Sequence, residues 1–214
     1  MQIKGDLHVH TIYSHDSTIT SKDLVFYAKR CGLNAVAITD HDSIEGALKI
    51  EKETDFTIIP GIEVTSKKGH IVGLNLREII PKGLSPDETI DEIHDAGGIA
   101  IGCHPFALFK GSLKNFAKTK FDAIETINAS AFPFKRSIKK AQEIANTLRI
   151  PCVAGTDAHY GPEIGFAYTL IDAEPQIEAI CRAITQGKCQ PFGKPIAARL
   201  RIERQIQLLK KKLL

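Results

Sequence analysis

A chain of 214 residues and 23.5 kDa has room for one large domain or two small ones. Its 43% hydrophobic and 25% charged residues exclude wholesale disorder, and no apolar run approaches the roughly 18 residues that span a bilayer. The net charge of +3 is unevenly placed: from Lys194 onward, seven basic side chains stand against Glu203 alone, so the rest of the chain is mildly acidic.

In chain order, short apolar runs predict strands at 3–9, 35–39, 57–60, 70–74, 99–103, 123–127, 152–154 and 167–171. Between them lie helices with readable ends. Thr20 through Asp23 opens one, with Leu24, Ala28 and Cys31 at helical spacing. Ser85-Pro86-Asp87-Glu88 is a capping box with proline in the first turn, and Gly97-Gly98 supplies the stop. Residues 138–148 form another helix, ended before Pro151. This alternation predicts one barrel-like α/β domain with a largely parallel sheet over residues 1–195, built of about seven strand–helix units. Residues 196–214 read as a basic amphipathic helix, because Ile202, Ile206, Leu209 and Leu213 recur at spacings of four, three and four. Docking against the barrel or a second subunit is the first role open to that helix. Contact with a nucleic-acid backbone or an anionic membrane surface follows.

The N-terminus turns polar too soon for a secretory signal, so a cytoplasmic location is expected. The five cysteines (Cys31, Cys103, Cys152, Cys181 and Cys189) are scattered without a C-x-x-C pair and read as reduced thiols.

The histidines point to chemistry by where they fall. His8 and His10 flank Val9 at the end of the first strand, and residues two apart on a strand share a side. His41 follows Asp40 past the second strand, Glu63 follows Pro60-Gly61-Ile62, His104 stands in Gly102-Cys103-His104-Pro105, and Asp157 and His159 stand in Gly155-Thr156-Asp157-Ala158-His159. In a parallel barrel the C-terminal strand ends share one face, so these groups would converge there. Carboxylates gathered in one pocket repel unless cations hold them, and a mixed His/Asp/Glu set suits zinc, manganese or iron. His94 falls inside a predicted helix and reads as a structural residue of its surface.

As a set, Asp6-Leu7-His8-Val9-His10-Thr11 with Ser14 and Asp16, Thr39-Asp40-His41, Gly61-Ile62-Glu63, His104-Pro105 and Thr156-Asp157-Ala158-His159 resembles the polymerase-and-histidinol-phosphatase (PHP) superfamily. The match spans residues 6 to 159, in the family's order. The resemblance implies a distorted (β/α)7 TIM-like barrel, three divalent metal ions (zinc, manganese or iron) and phosphoester hydrolysis through a metal-bridging hydroxide. Carried over residue by residue, it implies one metal on His8, His10, Glu63 and Asp157, and a second shared by Glu63 with His104 and His70. The third would sit on Asp16, His41 and His159. Glu63, His104 and Asp157 are the residues it assigns to catalysis. His15, beside Asp16, is left facing solvent or substrate, and Asp40 or Asp42 would orient His41.

Substrate contacts are expected from the loops after His104 and Asn128, where Lys110, Lys135 and Arg136 could clamp a phosphate. Phe132 and Phe134 beside them read as packing the loop, with base stacking the other role open to them. The expected enzyme is a phosphoesterase acting on nucleotides or short nucleic acids, of the nucleotide phosphatase or 5′–3′ exonuclease type. Histidinol-phosphate phosphatase is the alternative. A non-catalytic, metal-stabilised module binding nucleic acid or protein is the other class, and the completeness of the ligand set argues against it. Its partners would be a phosphorylated small molecule or short nucleic acid, a nucleic-acid backbone along the basic tail, and a second copy of the chain.

Overall fold

The computed structural model describes residues 1–108, 111–113 and 120–213. Along these residues run β1 (Gln2–Val9), α1 (Ser21–Arg30), β2 (Ala35–Ile38), α2 (Glu45–Glu53), β3 (Thr57–Ser66) and β4 (Gly69–Leu74). Then follow α3 (Pro86–Asp95), β5 (Ile99–Gly102), β6 (Ala123–Asn128), α4 (Phe134–Leu148) and β7 (Cys152–Gly155). The last elements are β8 (Ala167–Asp172), α5 (Ile177–Thr185), β9 (Cys189–Gly193) and α6 (Ala198–Lys212). The strands lie side by side in the order β7-β6-β5-β4-β3-β2-β1-β8-β9.

The sheet is less parallel than the alternation of elements predicts. Pairs β1–β2, β2–β3, β5–β6 and β6–β7 are parallel, whereas β3–β4, β4–β5, β1–β8 and β8–β9 are antiparallel. The cause is local. Between β3 and β4 only Lys67 and Lys68 intervene, so the chain returns as a hairpin with no helix to carry it across. The sheet curls until its ends meet. Val9 bridges Ala158 just past β7, His10 N donates to Ala158 O at 2.9 Å, and Asp157 N donates to His8 O at 2.7 Å. The Thr169 hydroxyl of β8 bonds both the N–H (2.8 Å) and the carbonyl (3.0 Å) of Ala154 in β7. The result is a nearly closed, distorted barrel, as the resemblance implies.

Leu7, Ala37, Ile59, Val72, Ile101 and Val153 meet inside it, and Ile180 and Ile184 of α5 pack on the same cluster. Each fully buried Ile or Leu contributes on the order of 2 kcal/mol. α1 and α3 begin where their caps predict: Thr20 with Asp23, and Ser85 with Glu88, each exchange side-chain and backbone hydrogen bonds. α4 starts a turn earlier than 138, directly after Pro133. Lys135 and Arg136 therefore lie in its first turn, not in a loop. β9 escaped prediction because it contains Pro191, which a strand tolerates at the edge of a sheet, where β9 lies. No helix of the described residues is long and apolar enough to cross a membrane.

Candidate metal centre

Strand irregularities aim the site. The β1–β2 register shifts between Asp6 and Val9, so Leu7 packs in the barrel interior while Val9 packs among residues of α1 and α2. A bulge of this kind re-aims side chains. His8 and His10 both bring Nε2 to Glu63 Oε2, at 3.3 and 3.2 Å. Glu63 lies within β3 and not past a strand end, since Gly61–Ser66 continues as the partner of β4. β4 runs back antiparallel, so its first turnward residues, including His70, stand at the rim where β3 also carries Glu63. His104 and Asp157 leave β5 and β7 with φ of 32° and 56°. Such left-handed backbone costs a non-glycine residue about 1–2 kcal/mol. Bonds hold both in place: His104 N donates to Glu125 Oε2 at 2.6 Å, and Asp157 N to the His8 carbonyl.

One carboxylate is ringed by imidazoles. Besides His8 and His10, Glu63 meets His41 Nδ1 at 3.1 Å, His70 Nδ1 at 2.9 Å and His104 Nε2 at 2.7 Å. Asp157 Oδ1 lies 3.5 Å from His10 Nε2, 3.9 Å from His8 Nε2 and 3.5 Å from His159 Nδ1. Asp16 Oδ2 lies 3.5 Å from His41 Nε2 and 3.2 Å from His159 Nε2. The structure thus brings together every sequence-predicted ligand: His8, His10, Asp16, His41, Glu63, His70, His104, Asp157 and His159. Part of them line a cavity of about 220 Å³.

The rings are oriented for coordination. His8 Nδ1 is bonded by Glu125 (3.1 Å), His10 Nδ1 by Ser14 (3.3 Å), His104 Nδ1 by Ser112 (3.4 Å) and His159 Nδ1 by the Asp157 carbonyl (3.0 Å). Each of these four is left with Nε2 for the centre, the arrangement that fixes the tautomer of a metal-bound histidine. Among the described residues, His8 Nε2, His10 Nε2 and Asp16 Oδ1 are buried with no hydrogen-bond partner. Buried polar atoms rarely go unmatched. Donor atoms of His8, His10 and Glu63, of His10, His41 and His159, and of His41, Glu63 and His70 each lie within 4.8 Å of one another. This donor set fits divalent ions.

Electrostatics carry the same message. Burial would raise the Glu63 carboxyl, but His8, His10, His104 and His70 hold it well below the usual carboxylate range. Burial likewise acts upward on Asp16, and bonds from His159 and His41 overcome it. His10 is pushed up to about 9, because Asp157 and Glu63 outweigh its burial. His159 goes the other way, to about 4: burial and the neighbouring His10 charge outweigh Asp16 and Asp157.

Several supporting groups were not foreseen. Glu125, buried in β6, bonds the His8 ring, the His104 N–H and Asn128 Nδ2. Its sequence signal was a carboxylate inside the apolar run 123–127, a place where an acid persists only if paired. Glu163 accepts the His159 N–H at 3.0 Å. Cys103, its thiol pushed well up by burial and by Glu63, lies beside Glu63 and His104. Asp6 accepts from the N–H of Thr156 at 2.8 Å and of Gly165 at 3.1 Å, tying β1 to β7; burial raises its carboxyl to about 6.

Other expectations shift. Asp40 does not orient the His41 ring; it accepts from Thr11 N (2.6 Å), Thr11 Oγ1 (2.6 Å) and Ser14 Oγ (2.9 Å), and so shapes the loop that carries Asp16. Asp42 accepts from Thr65 N at 2.8 Å. His41 is set instead by its own N–H, which donates to Ser14 Oγ at 3.0 Å. His15 is exposed, and His94 pairs with Asp122 at 2.8 Å on α3. Lys135 and Arg136 are exposed on α4, and Lys110 lies outside the described residues. Phe132 does not pack: its surface is 59% exposed.

The chain is similar to known proteins in sequence and in shape. Residues 135–189 match the family model described as PHP-associated. An uncharacterized protein of Methanocaldococcus jannaschii is 39% identical over 141 residues, which cover 59% of this chain and 82% of the relative. A 5′-3′ exoribonuclease of Haemophilus influenzae is 33% identical over 109 residues, 48% of this chain but 39% of that protein. A two-domain protein of Bacteroides vulgatus, described as containing a predicted PHP-like metal-dependent phosphoesterase, superposes with a TM-score of 0.73 at 16% identity. That match covers 91% of this chain and 65% of the other. With its motifs gathered at the mouth of such a barrel, the chain belongs to the polymerase-and-histidinol-phosphatase superfamily.

Proposed function

We propose that the chain is a divalent-metal-dependent hydrolase of phosphate esters, acting on nucleotides or short nucleic acids. The observation that carries this reading is the Glu63 carboxylate ringed by five imidazoles, with Nε2 of His8 and His10 buried and unmatched. His8, His10, Glu63 and Asp157 would hold one ion; Glu63, His70 and His104 a second; Asp16, His41 and His159 a third. Such ions supply Lewis acidity toward phosphoryl oxygens and make water nucleophilic at neutral pH. The chain's own part is positional. Glu125, Ser14 and Ser112 lock the rings of His8, His10 and His104, so that little reorganisation is needed when charge develops on the phosphoryl and leaving oxygens. Likeness to the exoribonuclease supports a nucleic-acid substrate.

The test is hydrolysis of 4-nitrophenyl phosphate, nucleoside monophosphates and short RNA by protein supplied with manganese or zinc. Turnover that needs added metal and falls on the order of 100-fold in Glu63→Gln, together with bound-metal content, supports the reading. Absence of turnover on every substrate by metal-loaded protein would leave a binding module.

A further inference from the structure

α6 crosses the mouth of the barrel. Near its start Arg201 donates through Nη1 to the Ser130 carbonyl at 3.1 Å and through Nη2 to the Ala129 carbonyl at 3.3 Å, just past β6. Near its end Lys211 donates to the Ser17 carbonyl at 2.8 Å, in the loop that carries Asp16. Ten residues of helix, about 15 Å, separate those anchors. Between this helix and the ligand cluster lies a second cavity of about 320 Å³, whose lining includes Asp16, His159, Ser130, Phe132, Arg201 and Arg204.

The charges on the helix side of that cavity do not balance. Arg204, its side chain 15% exposed, places Nη1 3.4 Å from Oε1 of the fully buried Glu163. Arg201 stands close enough for Arg204 to destabilise its charge, and burial does the same. On the helix side two guanidinium groups thus stand near the Glu163 carboxylate, with Asp16 across the cavity among the proposed metal ligands. Among the described residues Arg204 meets its partner through Nη1 alone, which leaves Nε–H and Nη2 to a ligand. A guanidinium fork of this kind suits the oxygens of a phosphate. The same cavity carries apolar surface as well, on Phe132 and on Leu108, the latter 48% exposed, and bases stack on such surfaces.

We propose that Arg204, supported by Arg201, forms a second anion subsite and determines specificity. It would hold a further phosphate of the substrate on α6 while the scissile group sits at the histidine cluster. The inference rests on the phosphoesterase reading and adds to it a wall supplied by a helix beyond the barrel. Its experiment uses the full-length, metal-supplied protein and two substrates: 4-nitrophenyl phosphate, with one anionic group, and a 5′-phosphorylated dinucleotide, with two. The ratio of their kcat/KM values is the readout. Arg204→Gln should lower the dinucleotide preference about 10- to 100-fold, chiefly through KM. Because Arg204→Gln unpairs Glu163, two further variants accompany it: Glu163→Gln/Arg204→Gln, which removes both charges, and Gln205→Glu, an exposed change that adds a negative charge to the same wall. Both should lower the ratio. A ratio within twofold of wild type in all three overturns the subsite. If the wild type hydrolyses neither substrate, the phosphoesterase reading fails separately, and calorimetry of a non-hydrolysable dinucleotide decides the subsite. Affinity at least fivefold weaker in Arg204→Gln and Gln205→Glu upholds it, and equal affinity overturns it.

Discussion

Glu125 is not among the proposed metal ligands, yet it sets two of them at once: the ring of His8 and the backbone of His104. Glu125→Gln keeps its shape but exchanges one acceptor for a donor. Outer partners of this kind are worth about 10- to 100-fold in metal affinity. Competition with a chromophoric chelator should show a loss in that range, and unchanged affinity would remove Glu125 from the account. At this scale the sequence was legible where chemistry is self-announcing. His8-Val9-His10 and Asp157-Ala158-His159 carry their ligands within a few residues. Glu125 was not legible, because its imidazole partner lies 117 positions away and only the folded sheet joins them. Arg204 was hidden for a similar reason: in a basic tail, nothing marks which cation faces a buried acid.

Among elements, the close approach of β7 to β1 is the contact most exposed to error. A Cβ on Gly155 would stand 2.4 Å from His8 Cβ and 2.7 Å from Glu125 Oε1. Gly155→Ala must therefore displace the histidine or part the strands, at a cost of about 1–3 kcal/mol. Thermal denaturation should register that loss together with reduced metal content; a variant with normal melting and full metal would refute the packing argument. The starts of α1 and α3 were readable because their caps at Thr20 and Ser85 are local, whereas α4, with no capping side chain, was placed a turn late. Strand direction was not, since it depends on what lies between strands: two lysines suffice to reverse β4 and place His70 at the mouth. Bulges are equally silent in sequence, although the one in β1 brings His8 and His10 to bear on Glu63.

For the molecule as a whole, the centre joins both flanks of the barrel seam, so ions bound there would stabilise the closed sheet. Free metal at about 100 times its dissociation constant adds roughly 2.7 kcal/mol per site. For a domain of this size that is a melting shift of about 5–10 °C, reversible by chelation. Protonation adds a sign of its own in the metal-free protein. His10 rises from 6.5 to about 9, so its contribution is complete below pH 6.5 and is lost as pH climbs through 9. Chelated protein should melt progressively lower across that interval, and a flat profile would contradict the proximity of His10 to Glu63 and Asp157. The barrel itself was legible from alternating strands and helices, while its seam was not.

The helix over the mouth has no buried residue, and its large apolar side chains Ile202, Ile206 and Leu209 point outward. Leu200 packs against a small cluster, and Arg201, Arg204 and Lys211 fasten the helix through polar contacts. That clasp rests on hydrogen bonds to backbone carbonyls and one shielded ion pair, whereas the interior beneath it rests on aliphatic packing. The doorway of this protein is thus held by a handful of polar side chains, so that losing them would loosen the helix and leave the room behind it standing.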